Sequence, residues 1–117
     1  MWPAYRNVQF EFVDQYVGGR SEGNTIALDS LNWDSDLETI VKVDVEGAEI
    51  DVLEGAQKLL ARKNTHWIVE VHGRERIEPV QAAFRQAGRE FELIEPRAHW
   101  LFGSETRQIW TGWVVTR

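Results

Sequence analysis

The sequence predicts an α/β domain in which helices pack on a mostly parallel β-sheet that ends in an antiparallel strand. Strand-like runs alternate with helix-like runs along most of the chain. Helical crossovers of this kind join parallel strands. The last two strand-like runs have no helix-like run between them, so we expect them to pair antiparallel. A length of 117 residues suits a single hydrophobic core.

The N-terminal part of the chain contains one long strand-like run and one short one. Residues 7–17 alternate apolar and polar side chains and then reach a Gly-Gly pair, which predicts a half-buried strand. Residues 25–28 predict a short extended piece. Either Asp29 or Ser30 could cap a short helical turn after it.

The middle of the chain predicts a strand, a tight turn and a helix. Residues 40–45 place three valines on one face of a β-branched run, which favours a strand. Gly47 permits a tight turn at little steric cost. Residues 48–62 then follow helical spacing, with acidic side chains early and basic side chains late, as the helix macrodipole favours.

The C-terminal part predicts three more strands and one more helix. The helix covers residues 75–87, with Pro79 in its first turn and Gly88 as its stop. The strands cover residues 67–71, 91–94 and 112–116, and residues 95–107 are predicted to form a loop or hairpin connection.

The composition excludes several classes of protein. With 43% hydrophobic and 27% charged residues the chain should fold, and a net charge of −6 argues against nucleic acid as a partner. The absence of cysteine excludes disulfides and thiolate metal sites, and cytoplasmic location is the expectation. No apolar run approaches the roughly 20 residues that span a membrane, so no membrane association is expected.

Charged side chains collect where two of the predicted parallel strands end. Asp44 and Glu46 follow one strand, and Glu70 and His72 close the next. Ligands of parallel α/β sheets bind beyond the carboxyl ends of the strands, so we expect these groups to share a crevice. A carboxylate there could accept hydrogen bonds from a hydroxyl or amine, act as a general base or bind a hard cation, and the spacing does not decide between them.

Helix stabilisation is the competing interpretation of the acidic residues. Asp51 and Glu54 are explained by the preference of helix starts for negative charge, and Glu49 fits either interpretation. Asp44 lies at a strand end, where burial without a partner would be unfavourable, which favours a role in a site. For His72, a backbone-bonded edge histidine, a general base and a metal ligand all stay open, and we assign no metal site.

The segment "VKVDVEGAEIDVLEGAQKLL", residues 41–60, with "WIVEVHG" after a short loop and "TIALDSL" before it, closely resembles the FkbM-type S-adenosylmethionine-dependent methyltransferases. The resemblance covers residues 25–73. It implies a Rossmann-like methyltransferase fold with strand order 3-2-1-4-5-7-6 and an antiparallel seventh strand. On that scheme, strands 3 to 7 correspond in turn to residues 7–17, 40–45, 67–71, 91–94 and 112–116.

The resemblance also implies roles for the clustered residues. Asp44 and Glu46 match the acidic residues that face the methyl-transfer cleft and are the catalytic candidates. Glu70 and His72 match the strand end that lines the substrate side, and Glu49 joins them as a candidate substrate-binding residue.

The family's glycine-rich turn, which approaches the cofactor, has no counterpart, since the sequence contains no G-x-G pattern. The expectation is therefore a single partial domain over residues 1–117 that lacks the cofactor-binding half. Three functions follow: an inactive fragment, an enzyme completed by a partner or by oligomerisation, or a non-enzymatic oligomeric or cation-binding module using Asp44, Glu46 and Glu49. We expect a homodimer that covers the exposed edge of strand 4, with residues 7–17 paired to the sheet of their own chain or of the neighbouring chain.

Overall fold

The computed structural model describes residues 9–96 and 110–117, which form a mixed α/β arrangement of two sheets and three helices. The strands are β1 (Tyr16–Val17), β2 (Thr25–Ile26), β3 (Thr39–Val43), β4 (Thr65–His72), β5 (Phe91–Ile94) and β6 (Thr111–Thr116). The helices are α1 (Glu49–Glu54), α2 (Gln57–Ala61) and α3 (Ile77–Gln86), and 3-10 turns cover Leu28–Ser30 and Arg74–Arg76. No helix in the described part of the chain has the length and apolar character needed to cross a bilayer.

The larger sheet has four strands in the order β3-β4-β6-β5. β3 and β4 pair in parallel, whereas β6 is antiparallel to both β4 and β5. The α/β class and the antiparallel C-terminal strand are confirmed. The expectation of a mostly parallel sheet holds for the direction of the strands, since β3, β4 and β5 run the same way. It is wrong for the hydrogen-bonded pairs of neighbouring strands. Because β6 lies between β4 and β5, two of the three ladders are antiparallel.

One face of this sheet packs against the helices and forms the core. Along β4, buried residues alternate with more exposed ones, as expected for a strand with one covered face. Trp67 of β4 meets Phe84 of α3 edge to face, with ring centroids 6.3 Å apart. Burying side chains of this size stabilises the fold by about 1.5–3 kcal/mol each. The opposite face carries Ile40, Ile68 and Ile94, which are 73%, 36% and 45% exposed.

The predicted strand over residues 7–17 is wrong for most of its length. Residues 9–15 form no regular structure, and Phe10 and Phe12 are 91% and 89% exposed. Only Tyr16–Val17 is a strand, and it pairs with β2 in a separate two-stranded sheet. Residues 7 and 8 lie outside the described part. Alternating hydrophobicity stabilises a strand only when one face is buried, and in residues 9–15 neither face is covered.

The single helix predicted over residues 48–62 is two helices, α1 and α2, separated at Gly55 and Ala56. Gly55 lies against the chain at Gly18: a Cβ added at Gly55 would lie 2.1 Å from the carbonyl oxygen of Gly18. The Gly55 carbonyl also accepts a hydrogen bond from the Asp29 amide at 2.8 Å. A segment distant in sequence therefore docks where the helix is interrupted.

Asp29 caps α2 rather than the turn beside it. Its carboxylate accepts hydrogen bonds from the backbone amides of Lys58 and Leu59, at 2.8 and 2.9 Å. The 3-10 turn that contains Asp29 has no side-chain cap of its own. The prediction that Asp29 or Ser30 caps the short turn is therefore wrong, and Asp29 caps α2 instead.

The remaining predicted elements are confirmed with small shifts in their bounds. α3 follows a 3-10 turn, contains Pro79 in its first turn, and is followed by Gly88 at φ +70°. Arg89 then donates hydrogen bonds to the carbonyls of Leu60, Arg62 and Thr65, which fastens the end of α2 to the start of β4. Most of the predicted connection over residues 95–107 lies outside the described residues.

Candidate functional site

Three polar side chains meet beyond the carboxyl ends of the parallel strands β3 and β4. Val43 and Val69 are register partners, so Asp44 comes beside Glu70 and close to His72. Nε2 of His72 lies 3.8 Å from Oδ1 of Asp44 and 3.8 Å from Oε1 of Glu70. The side chains of Asp44, Glu70 and His72 are 44%, 22% and 16% exposed, so this group, called here the carboxylate–histidine cluster, is open to solvent mainly at Asp44.

Glu49, in the first turn of α1, is buried and supports this cluster through hydrogen bonds. The residue has no exposed surface. Its Oε1 accepts hydrogen bonds from Nδ1 of His72 at 2.7 Å and from the backbone amides of His72 and Gly47, each at 3.1 Å. One carboxylate oxygen therefore fixes the His72 ring, the end of β4 and the turn after β3.

The contacts between Glu49 and His72 determine which of the two side chains carries the shared proton. Burial acts to raise the pKa of the Glu49 carboxyl, but the hydrogen bonds from the His72 ring and from the amides of Gly47 and His72 outweigh it and lower the pKa below the ordinary 4.5. An ionised carboxylate only accepts hydrogen bonds, so Nδ1 of His72 carries the proton in this contact. Oε2 of Glu49 is buried and has no hydrogen-bond partner among the described residues.

The turn that leads from β3 into α1 has an unusual backbone. Glu46 has φ +48° and Gly47 has φ +108°. A positive φ is unfavourable for a residue with a side chain and recurs at functional sites. A Cβ at Gly47 would lie 3.4 Å from the guanidinium of Arg76, which lies over this turn and donates hydrogen bonds to the His72 carbonyl and to Glu75.

The predicted site residues do not all come together. Asp44, Glu70 and His72 form the carboxylate–histidine cluster and Glu49 supports it. Glu46 is exposed on the turn and forms no hydrogen bond or ion pair with the described residues of the cluster; its catalytic role stays a prediction. Glu49 is placed to position His72, and its direct contact with a substrate also stays a prediction. Sequence reasoning missed Arg76, whose contact with His72 depends on how the 3-10 turn follows β4 and has no local sequence signal.

A cavity of about 250 Å³ lies along β3 and reaches the cluster at Asp44. Its lining is mostly apolar and comes from β3, the turn after it, α1 and the N-terminal segment: Val17, Leu28, Val41, Lys42, Val43, Asp44, Val45 and Val52. Among the described residues β3 pairs on one side only, with β4. The cluster therefore adjoins both an open strand edge and an apolar cavity.

Chemically, the cluster offers an accessible carboxylate beside an imidazole whose ring is held by a buried carboxylate. Such a group can accept a proton from a hydroxyl or amine, or bind a cation. Asp44 is the member best placed to contact a ligand because it is the most exposed of the three.

The family model of the methyltransferase FkbM domain matches residues 6–101 of the chain. No curated protein and no solved structure matches it. The matched range contains Asp44, Glu49, Glu70 and His72, so the carboxylate–histidine cluster and its supporting carboxylate both belong to the matched domain.

Proposed function

Because the chain belongs to the methyltransferase FkbM family, we propose that it supplies the acceptor side of a methyl-transfer site. The observation that carries the proposal is the meeting of Asp44, Glu70 and His72 at the carboxyl ends of β3 and β4. That edge is where α/β sheets bind ligands. A fold by itself does not establish an activity. Here the family and the cluster both favour a methyl-transfer site.

The strand order supports a methyltransferase half-sheet. β3-β4-β6-β5, with β6 reversed, corresponds to positions 4-5-7-6 of the sheet that the family resemblance implies. On this assignment β3 is the strand that would pair with strand 1 of a complete Rossmann-like sheet. The side of β3 that has no partner strand among the described residues is therefore the side on which the rest of the sheet would lie.

In this proposal Asp44 is the residue that contacts the acceptor. Its carboxylate is exposed enough to accept a hydrogen bond from a hydroxyl or amine, and it can take the proton that the nucleophile loses. Glu70 and His72 line the same crevice. Glu49 keeps the His72 ring in place, and Glu46 could reach a larger acceptor from the exposed turn.

We infer that the described residues lack the glycine-rich part of a site for S-adenosylmethionine, the methyl donor of this family. Cofactor sites of α/β folds place glycines where a ligand can approach the backbone, at a turn that opens a helix. Here Gly18 and Gly19 follow β1, and their surroundings are already filled: a Cβ at Gly18 would lie 2.9 Å from Thr25, and one at Gly19 3.4 Å from Glu54. The next regular elements are β2 and a 3-10 turn of three residues.

The cofactor-binding half would therefore come from another polypeptide segment, and the chain by itself would be inactive. The free edge of β3 and the apolar cavity beside it are the surfaces that such a segment would cover. An unpaired strand with exposed backbone groups readily accepts another strand.

Calorimetry tests the proposal directly. The chain is titrated with S-adenosylmethionine and, separately, with S-adenosylhomocysteine, the product that methyltransferases commonly bind. We expect no heat of binding at micromolar ligand. Saturable 1:1 binding in the micromolar range would show a complete cofactor site and contradict the assignment of an acceptor half.

We also propose that, without that half, the chain associates with a second copy through the edge of β3. Ile40 at this edge is 73% exposed, and the cavity beside it is largely apolar. A homodimer that pairs two β3 edges would satisfy their backbone groups and cover this surface.

A further inference from the structure

Of the two ring nitrogens of His72, Nδ1 has a short hydrogen bond and Nε2 has none to the carboxylates beside it. Nδ1 donates to Oε1 of Glu49 at 2.7 Å. With the proton on Nδ1, the neutral ring has its lone pair on Nε2. Nε2 lies 3.8 Å from Oδ1 of Asp44 and 3.8 Å from Oε1 of Glu70. Three atoms that can each accept a hydrogen bond or bind a cation therefore lie close together.

Nε2 of His72 has no hydrogen bond to either of the two carboxylates beside it. The distance from Nε2 to each carboxylate oxygen is 3.8 Å. Hydrogen bonds from nitrogen to oxygen span about 2.7–3.2 Å, so both distances are too long for a hydrogen bond. A cation between the three atoms would satisfy all of them.

The spacing suits a metal ion. Nitrogen and oxygen ligands lie about 2.0–2.2 Å from Zn²⁺, so two ligands of one ion are at most about 4.4 Å apart. The two 3.8 Å separations are within that limit, and all three ligand atoms lie within 4.8 Å of one another. The Asp44 side chain is 44% exposed and can rotate to bring its Oδ1 closer to Oε1 of Glu70. Lys42 contacts its other oxygen, Oδ2, at 3.4 Å, which leaves Oδ1 for an ion.

Glu49 provides the second observation. A histidine that ligates a metal commonly donates its other ring N–H to a carboxylate, which fixes the tautomer and aims the lone pair. Glu49 forms this contact from a fully buried position. By contrast, His66 contacts Glu38 at 2.7 Å in an exposed pair that has no third metal-ligating side chain beside it in the described part of the chain.

We propose that Asp44, Glu70 and His72 bind a divalent first-row transition-metal ion, with Glu49 as the residue that orients His72. One imidazole nitrogen with two carboxylate oxygens suits Zn²⁺ or Mn²⁺, whereas Mg²⁺ and Ca²⁺ prefer oxygen ligands alone. Three protein ligands leave coordination positions open toward solvent at Asp44. A hydroxyl of the acceptor could occupy one of them; this last step rests on the proposed function, whereas metal binding does not.

Titration of the intact chain with the metal alone tests the site. The protein is stripped with EDTA, dialysed, and titrated by calorimetry with ZnCl₂, MnCl₂, MgCl₂ or CaCl₂ in separate experiments. We expect one site per chain for Zn²⁺ and Mn²⁺, with Mg²⁺ and Ca²⁺ at least tenfold weaker. X-ray absorption of the Zn²⁺ complex should show one imidazole nitrogen in a shell otherwise made of oxygen.

Variants locate the site. Asp44→Asn, Glu70→Gln and His72→Asn should each weaken Zn²⁺ binding at least tenfold, and Glu49→Gln should weaken it about 10–100-fold, as outer-shell changes do. His66→Asn removes the exposed histidine of the same strand and should leave the affinity unchanged. Circular dichroism identifies variants that fail to fold, and Asp44→Asn, which alters an exposed side chain, keeps the test valid if His72→Asn does not fold.

Two results would overturn the proposal. One is the absence of any site for Zn²⁺ or Mn²⁺ below millimolar concentration. The other is binding that His66→Asn removes and Asp44→Asn leaves intact. Because no methyl donor is present, these outcomes are independent of whether the chain forms the acceptor side of a methyltransferase.

Discussion

The Glu49 carboxylate lies 2.7 Å from Nδ1 of His72 and joins the first turn of α1 to the end of β4. The contact is fully buried on the Glu49 side, so a change there should not be compensated by water. We expect Glu49→Gln, which keeps the shape and removes the charge, to lower the free energy of unfolding by about 1–3 kcal/mol. Urea unfolding in EDTA measures this loss.

A double-mutant cycle separates that contact from general damage. Glu49→Gln and His72→Asn should show a coupling of about 0.5–3 kcal/mol because the two side chains act on each other. Asp51→Asn, an exposed change on the same helix, should alter stability by less than about 0.5 kcal/mol. Additive effects of the first two variants would contradict the contact.

The lowered pKa of Glu49 predicts a particular dependence of stability on pH. As the pH falls below the ordinary pKa of 4.5, the carboxyl of the unfolded chain binds a proton before that of the folded chain does. The stabilisation from ionised Glu49 is therefore fully present above pH 4.5 and is lost as the pH falls through the pKa of the folded state. The difference in unfolding free energy between the native chain and Glu49→Gln should therefore shrink as the pH falls below about 4.5. An undiminished difference at about pH 3 would contradict an ionised Glu49.

Gly55 is predicted to be intolerant of any side chain. A Cβ there would lie 2.1 Å from the carbonyl oxygen of Gly18, and backbone at this break between helices cannot easily move away. We expect Gly55→Ala to lower the midpoint of urea unfolding and to reduce the free energy of unfolding by at least about 1–3 kcal/mol. Gly19→Ala is the matched control, because its Cβ would meet only Glu54 and Asp51, at 3.4 Å or more; equal losses would refute the close approach.

Asp29 is predicted to stabilise a helix far from it in sequence. Replacing it with Ala leaves the amides of Lys58 and Leu59 without their side-chain acceptor and should lower stability by about 0.5–2 kcal/mol. Hydrogen exchange of these two amides should become faster. Asp36→Ala, in an exposed loop, should change neither property.

The sequence predicted best what depends on local pattern. β4 and α3 have clear periodicity and a clear stop, and both formed close to the expected bounds. Residues 9–15 have an equally clear alternation and formed no strand, because a strand also needs a partner and a covered face, which the pattern does not supply.

Features that depend on tertiary contact were beyond local reasoning. The break at Gly55 results from its approach to Gly18, and the cap on α2 comes from Asp29 across the fold. At the candidate site, the sequence placed Asp44 and His72 at neighbouring strand ends, and the structure brings them together. The burial of Glu49 could not be read from its sequence position, because an acidic first turn is equally typical of exposed helices.

We propose that another polypeptide completes the edge of β3, and sedimentation velocity tests this proposal most directly. At micromolar concentration we expect the native chain to sediment at twice its 13.6 kDa mass. Ile40→Lys, which adds a charge at the β3 edge, should yield a folded monomer, whereas Ile94→Lys on β5, the opposite edge strand, should leave the dimer intact. A native chain that sediments as a stable 13.6 kDa monomer would contradict the pairing of β3 with a second chain.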